Sequence, residues 1–200
     1  MSELKRVGKQ EAVKIAYYLM AVDGNVVRCE KALFKTVAEG FGVDDANVWE
    51  EAVDKTDEIL DSTDNLETIY KKVEIEVDKL IKNSEVNEVL RDLNECVFSL
   101  PSISSNLLVW NLMTLAIKDL DYSDNERRLI EYIAKELEVD RGALVEMDNS
   151  IRALYSIQNE MRWLEENVEN KYEYIYITNE LEERIRIIED SVKLLIEEKM

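Results

Sequence analysis

The sequence predicts an all-α protein, a duplicated helical bundle followed by a C-terminal helical hairpin or coiled-coil-like extension. Three observations carry that expectation. Apolar residues recur at helical spacing over almost the whole chain. One proline and five glycines among 200 residues leave few places for tight turns, so long helices with short polar connectors are the economical arrangement. Residues 23–44 (DGNVVRCEKALFKTVAEGFGVD) recur without a gap as residues 119–140 (DLDYSDNERRLIEYIAKELEVD), at a shift of 96.

Six positions are identical between these segments: Asp23 and Asp119, Glu30 and Glu126, Leu33 and Leu129, Ala38 and Ala134, Val43 and Val139, Asp44 and Asp140. Phe34, Val37 and Phe41 also fall on Ile130, Ile133 and Leu137, so the apolar positions coincide as well. In the first copy a helix bearing Ile15, Ala16 and Leu19 runs into an acidic turn. A second helix follows with Leu33, Phe34, Val37 and Phe41, and Gly42 is placed to stop it. Asp44 or Asp45 is expected to cap a third helix with Val48 and Trp49.

A helical insert separates the copies. Asp64 and Glu67 fit a capping box for a helix with Leu66, Ile69, Tyr70, Val73, Val77, Leu80 and Ile81. Ser84 is expected to cap the next, with Val86, Val89, Leu90, Leu93 and Val97. The stretch SLPSISSN holds the only proline and reads as a connector. In the second copy Leu108, Leu112, Leu115 and Ala116 form the first helix and Leu129, Ile130, Ile133 and Leu137 the second. Glu138 stands where Gly42 stood, and Asp140 is the expected cap of a helix with Leu144 and Val145.

The tail changes character. Met161, Leu164 and Val168, then Leu181, Ile185, Ile188, Val192 and Leu195, follow spacings of 3 and 4 typical of a coiled-coil seam. The phase slips near Tyr172–Asn179, which favours a hairpin or a kinked pair over one continuous coil. The expected organisation is thus a helical domain over 1–147, with repeat halves 11–53 and 106–147, an insert at 54–98 and a connector at 99–105, and then a helical extension over 148–200.

Forty-four Asp and Glu against 25 Lys and Arg give a net charge of -19. That field repels phosphate backbones and anionic lipid surfaces and concentrates divalent cations and basic proteins. A nucleic-acid ligand is not expected, and Trp49, Trp110 and Trp163 read as core or interface aromatics. No apolar run reaches the roughly 18 residues of a spanning helix and the start lacks a signal peptide, so the expectation is a cytoplasmic protein without membrane insertion. Cys29 and Cys96 lack metal or redox spacing and read as small buried residues. Histidine is absent, which removes the commonest general base and metal ligand.

These features resemble the TerB-like family, named for bacterial tellurite resistance. Its signature is a D-G-x-hydrophobic-x-x-x-E turn leading into an amphipathic helix. Asp23, Gly24, Val26 and Glu30 match it in full; Asp119, Tyr122 and Glu126 match in the second copy, where Leu120 replaces the glycine. About 80 residues are covered, from roughly Glu11 to Val53 and from Asn106 to Met147. The resemblance implies an all-helical fold with pseudo-twofold halves, acidic residues suited to divalent cations, and a role in bacterial stress response or phage defence. The insert and the tail depart from the family pattern.

Asp23, Asn25 and Glu30, with Asp119, Asp121 and Glu126, are therefore the candidate metal ligands, oxygen donors suited to Ca2+ or Mg2+. An EF-hand is excluded: counted from Asp119, its sixth and twelfth positions are Asp124 and Ile130. The competing reading is structural, since carboxylates in a first helical turn satisfy free backbone N–H groups. Ser123 and Glu126 make a capping box, whereas Val27 denies Glu30 the same partner. The functional expectation is a non-enzymatic acidic binding module, with cation binding at the two turns and a protein partner, or a second copy, held by the C-terminal helices. The alternatives are a coiled-coil-like adaptor or scaffold without metal and, ranking last, a carboxylate-metal phosphohydrolase.

Overall fold

The computed structural model describes residues 5–24, 26, 28–43, 47–93, 102–117 and 122–197, with the backbone alone at 28–33, 85–93 and 197. The chain divides into two compact units, Met1–Val139 and Asp140–Met200. Among the described residues the fold is eight helices and one two-stranded sheet.

Unit one begins with β1 (Arg6–Gly8) and α1 (Lys9–Ala21), followed by α2 (Arg28–Gly40) and α3 (Asn47–Ser62). The long α4 (Leu66–Leu93) leads to β2 (Ser102–Ser104), α5 (Ser105–Ala116) and α6 (Asp124–Glu136). Helix α1 is buried from Ala12 to Ala21 except at Lys14. A helix apolar on nearly every face has to be enclosed, and α1 touches α2, α3, α4, α5, α6 and both strands. Helix α5 is the other apolar centre, with Leu108, Val109, Leu112, Met113, Leu115 and Ala116 buried. The outer helices are amphipathic and turn Phe34, Val37 and Ala38 of α2, with Phe41 just beyond it, or Leu129, Ile130, Ile133 and Ala134 of α6, toward the core. Phe34 packs edge-on against both Tyr17 and Trp49.

The fold is mostly helical, as the all-α expectation has it, and differs from the expected elements in two places. Residues 102–104, inside the expected connector, form β2 and pair antiparallel with β1: Arg6 with Ser104, Val7 with Ile103, Gly8 with Ser102. Three-residue strands lack the length for a period-2 signal, so pattern reading passes over them. The insert is also one helix rather than two through the described stretch. Ser84 lies buried within α4 and its hydroxyl donates to the Leu80 carbonyl at 3.1 Å, so it caps nothing. The cap of α4 is Asn65, whose side chain accepts from the Thr68 N–H at 3.0 Å, one residue later than the Asp64 expectation. Asp44 and Asp45 lie outside the described residues, as does Cys96; Cys29 is placed by its backbone alone.

Three pairs of elements start 96 residues apart. Strands begin at Arg6 and Ser102, the apolar helices at Lys9 and Ser105, the amphipathic helices at Arg28 and Asp124. Helices α2 and α6 also end alike. Gly42 N–H bonds Glu39 O and Val43 N–H bonds Ala38 O, while Glu138 N–H bonds Lys135 O and Val139 N–H bonds Ala134 O. Both turns need a left-handed residue at the same place, supplied by Gly42 (φ 72°) and Glu138 (φ 55°).

Unit two is α7 (Arg141–Asn167) and α8 (Lys171–Glu197), a helical hairpin as the tail spacing predicts. Asp140 caps α7 by accepting from the Ala143 N–H at 3.0 Å. The seam joins buried Ile157, Leu164 and Leu181 to Met161, Val168, Tyr174, Ile177, Ile185 and Ile188. The tyrosine-rich stretch is helical, and Trp163 is 58% exposed rather than a core residue.

The two helix ends generate opposite expectations. Gly42→Ala puts a Cβ on a left-handed residue and should lower the unfolding free energy by about 1 kcal/mol, whereas Glu138→Gly removes that cost and should raise it by a similar amount. Only the flexible Lys9 Nζ, at 3.2 Å, meets a Cβ at Gly42, so the effect is conformational rather than a clash. Urea denaturation of the two variants checks the signs.

Candidate functional site

The first acidic turn begins where α1 runs out of helix. The Val22 N–H bonds Leu19 O, and the Gly24 N–H bonds Ala21 O at 3.0 Å. Gly24 has φ 91°, and a Cβ there would lie 2.8 Å from Leu66 Cδ2. Glycine is thus required for its backbone and for its closeness to the start of α4. Asp23 sits half-buried in this bend.

The second turn is held by reciprocal capping. Ser123 Oγ accepts from the Glu126 N–H at 3.2 Å, and a Glu126 carboxylate oxygen accepts from the Ser123 N–H at 2.8 Å. Glu126 is only 3% exposed. Its carboxylate offsets its own burial by accepting that N–H and by facing the positive end of the α6 dipole.

The two turns meet. Asn125 Nδ2, in the first turn of α6, donates to the Val22 carbonyl at 3.4 Å and so occupies an acceptor that α1 leaves unpaired at its C-terminal end. Arg128, one turn further on, pairs with Glu67 at 3.1 Å and lies over the Tyr70 ring, 4.1 Å from its centroid. This guanidinium holds the Glu67 carboxyl below the usual carboxylate range. The end of α1, the start of α4 and the start of α6 therefore share one corner. Asn125, Arg128 and Tyr70 escape sequence reading because each acts on a residue more than 50 positions away, and periodicity carries no such information.

Of the six candidate ligands, Asp23 and Glu126 are described in full and Glu30 is placed on α2 by its backbone. Asn25, Asp119 and Asp121 lie outside the described residues. Among the described residues no three acidic or cysteine side chains converge as a metal-ligand group. No described helix is long and apolar enough to cross a membrane. A shallow crevice of about 240 Å³ between α3 and α4 is lined by Lys55, Glu58, Ile59, Ser62, Lys72 and Glu76. Its lysines are engaged, Lys55 with Glu58 at 2.7 Å and Lys72 with the Ser62 hydroxyl at 2.6 Å. Its volume falls below the roughly 300 Å³ of ordinary small-molecule sites.

Alkali should weaken the α4–α6 contact beside this corner. Burial first, then the hydrogen bond to Glu74, pushes the Tyr70 phenol up to about 12. Burial first, then the charge of Asp78, pushes Tyr132 up to about 12. Folding thus favours both neutral phenols, and their contribution is complete below the ordinary tyrosine value near 10 and lost as pH rises from there toward 12. Titration followed by tyrosinate absorbance should show a late-ionising group of phenols, and Tyr70→Phe with Tyr132→Phe should remove two of them.

Compared with known proteins, the chain matches no family model, no curated protein and no solved structure.

Proposed function

We propose that the chain is a non-enzymatic, acidic adaptor of the TerB-like kind, two copies of one helical unit about a pseudo-twofold axis, with its C-terminal hairpin as the surface for a protein partner. The observation that carries the adaptor reading is the reciprocal cap of Glu126 and Ser123, which gives the acidic signature of the second copy a structural use. The family resemblance supports a setting in bacterial stress response or phage defence.

The duplicated architecture draws support from the β register. In the pair Val7 and Ile103 each residue is the other's equivalent under the shift of 96, with Arg6 and Ser104, and Gly8 and Ser102, paired symmetrically around them. An antiparallel pair centred on equivalent residues is what a twofold axis through that point demands. The common helix starts and the matching left-handed ends of α2 and α6 agree with it. The chain lacks histidine, the commonest general base and transition-metal ligand, which weighs against a hydrolase.

The adaptor reading is tested by ending the chain at Val139, the limit of unit one. The shortened protein should keep a cooperative helical melt by circular dichroism and lose the partner that the intact chain retains in a pull-down. Retention of that partner by the shortened chain would count against the hairpin.

A second reading, a divalent cation held between the turns, is favoured by the Asn125–Val22 contact, because it joins the two bends. Calorimetric titration with Ca2+, Mg2+ and Mn2+ tests it. Heat that saturates for the intact chain and vanishes in Asp23→Asn with Asp119→Asn is the expected result for this reading. No heat at millimolar metal discards it.

A further inference from the structure

Helix α8 carries two seams. One is buried: Leu181 and Val192 are 2% exposed, and Tyr174, Ile177, Ile185 and Ile188 pack with Leu181 in the hairpin core. The other runs along the opposite side. Tyr172 (88% exposed), Tyr176 (73%), Ile187 (58%) and Leu194 (58%) leave large apolar side chains in solvent. Glu180, Glu183 and Asp190, all exposed, fall between them. Read together, these positions advance along the helix in steps of 4, 4, 3, 4, 3 and 4. That is the spacing at which one stripe meets a partner helix turn after turn, over about 33 Å at 1.5 Å per residue.

The charges on this stripe select its occupant. A second copy laid parallel along it would bring Glu180, Glu183 and Asp190 against their own counterparts. An antiparallel one would set Glu183 against itself and Asp190 and Glu180 against Tyr176 and Ile187, and buried acids at seam positions oppose pairing in both. Residues 140–200 also hold 15 Asp and Glu against 8 Lys and Arg, so unit two repels its own copy as a whole. An anionic membrane surface is repelled for the same reason. A helix bearing lysine or arginine among leucine-like residues meets both requirements. The cations face the three carboxylates, and the apolar side chains cover Tyr172, Tyr176, Ile187 and Leu194. Arg184 pairs with Glu180 at 2.7 Å and Arg186 with Glu183 at 3.5 Å, one on each flank of the stripe, so they would be displaced sideways rather than buried.

We infer that the outer face of α8 is a docking seam for a basic amphipathic helix of a partner protein. This rests on the adaptor reading and names the chemistry of its partner.

The test uses the full chain and two synthetic helical peptides, one built of leucine and lysine and its twin with glutamate for every lysine, followed by fluorescence anisotropy. The lysine peptide should bind with saturation and the glutamate twin should not. Tyr176→Ser with Ile187→Ser should weaken binding by about tenfold. Glu180→Lys with Glu183→Lys should abolish it and admit the glutamate twin, although the chain's net charge moves only from -19 to -15. Circular dichroism checks that the variants keep their helix. Unchanged affinity in both double variants overturns the seam and leaves the adaptor reading standing. No binding of either peptide by the intact chain overturns the basic-helix partner for the adaptor as well. Sedimentation showing a dimer that Ile187→Ser converts to monomer would assign the face to a second copy and overturn the inference.

Discussion

Everything in the first unit follows from two helices that have no polar face to show. Helix α1 is buried from Ala12 to Ala21 except at Lys14, and α5 from Leu108 to Ala116 is nearly as apolar. Each fully buried leucine or isoleucine among them contributes about 1.5–3 kcal/mol, so leaving either helix at a surface would remove most of the fold's stability. The amphipathic helices α2 and α6, with α3 and α4, are arranged to cover them. Among the described residues charge therefore stays out of the core except at Glu126. A net charge of -19 is tolerated because the acidic side chains stay solvated or, like Glu126, accept backbone N–H groups.

What the sequence made legible was the part governed by short-range rules. Ser123, Glu126 and Asp140 stand at helix starts and act within three residues of themselves, so their capping roles could be read directly. Gly42 announces a helix end by its identity. Glu138 performs the same left-handed turn without that signal; only its alignment with Gly42 hints at it. The β ribbon was invisible because three residues have no period and because its register depends on Val7 meeting Ile103 across the whole insert. Ser84 misled for a related reason. A serine after a helical run suggests a cap, but one bonding back to Leu80 sits equally well inside a helix.

The acidic turns show how one set of carboxylates admits two readings. A helix start presents unpaired N–H groups, and a glutamate three residues in is suited to them whether or not a cation is near. Glu126 uses its carboxylate in that way. In the first copy Val27 cannot reciprocate, so the identical glutamate, Glu30, lacks the same local explanation. Asn125 adds a constraint of its own: by donating to the Val22 carbonyl it joins the first turn of α6 to the end of α1.

Helix α8 poses the same problem on a larger scale. A heptad-like spacing says that a helix has a seam, not how many, and the eye settles on the one with the most leucine and isoleucine. Leu181, Ile185, Ile188 and Val192 are that seam, and α7 covers most of it. The second stripe mixes tyrosine, isoleucine and leucine with three acids, a composition shared with ordinary solvated faces. Isolated apolar residues on a surface call for no explanation. Four of them in register with three carboxylates, on the face turned away from the partner helix, are a different matter. That pattern leaves apolar surface in solvent without adding to the hairpin core, and contiguous exposed apolar patches are the kind of surface that marks interaction sites.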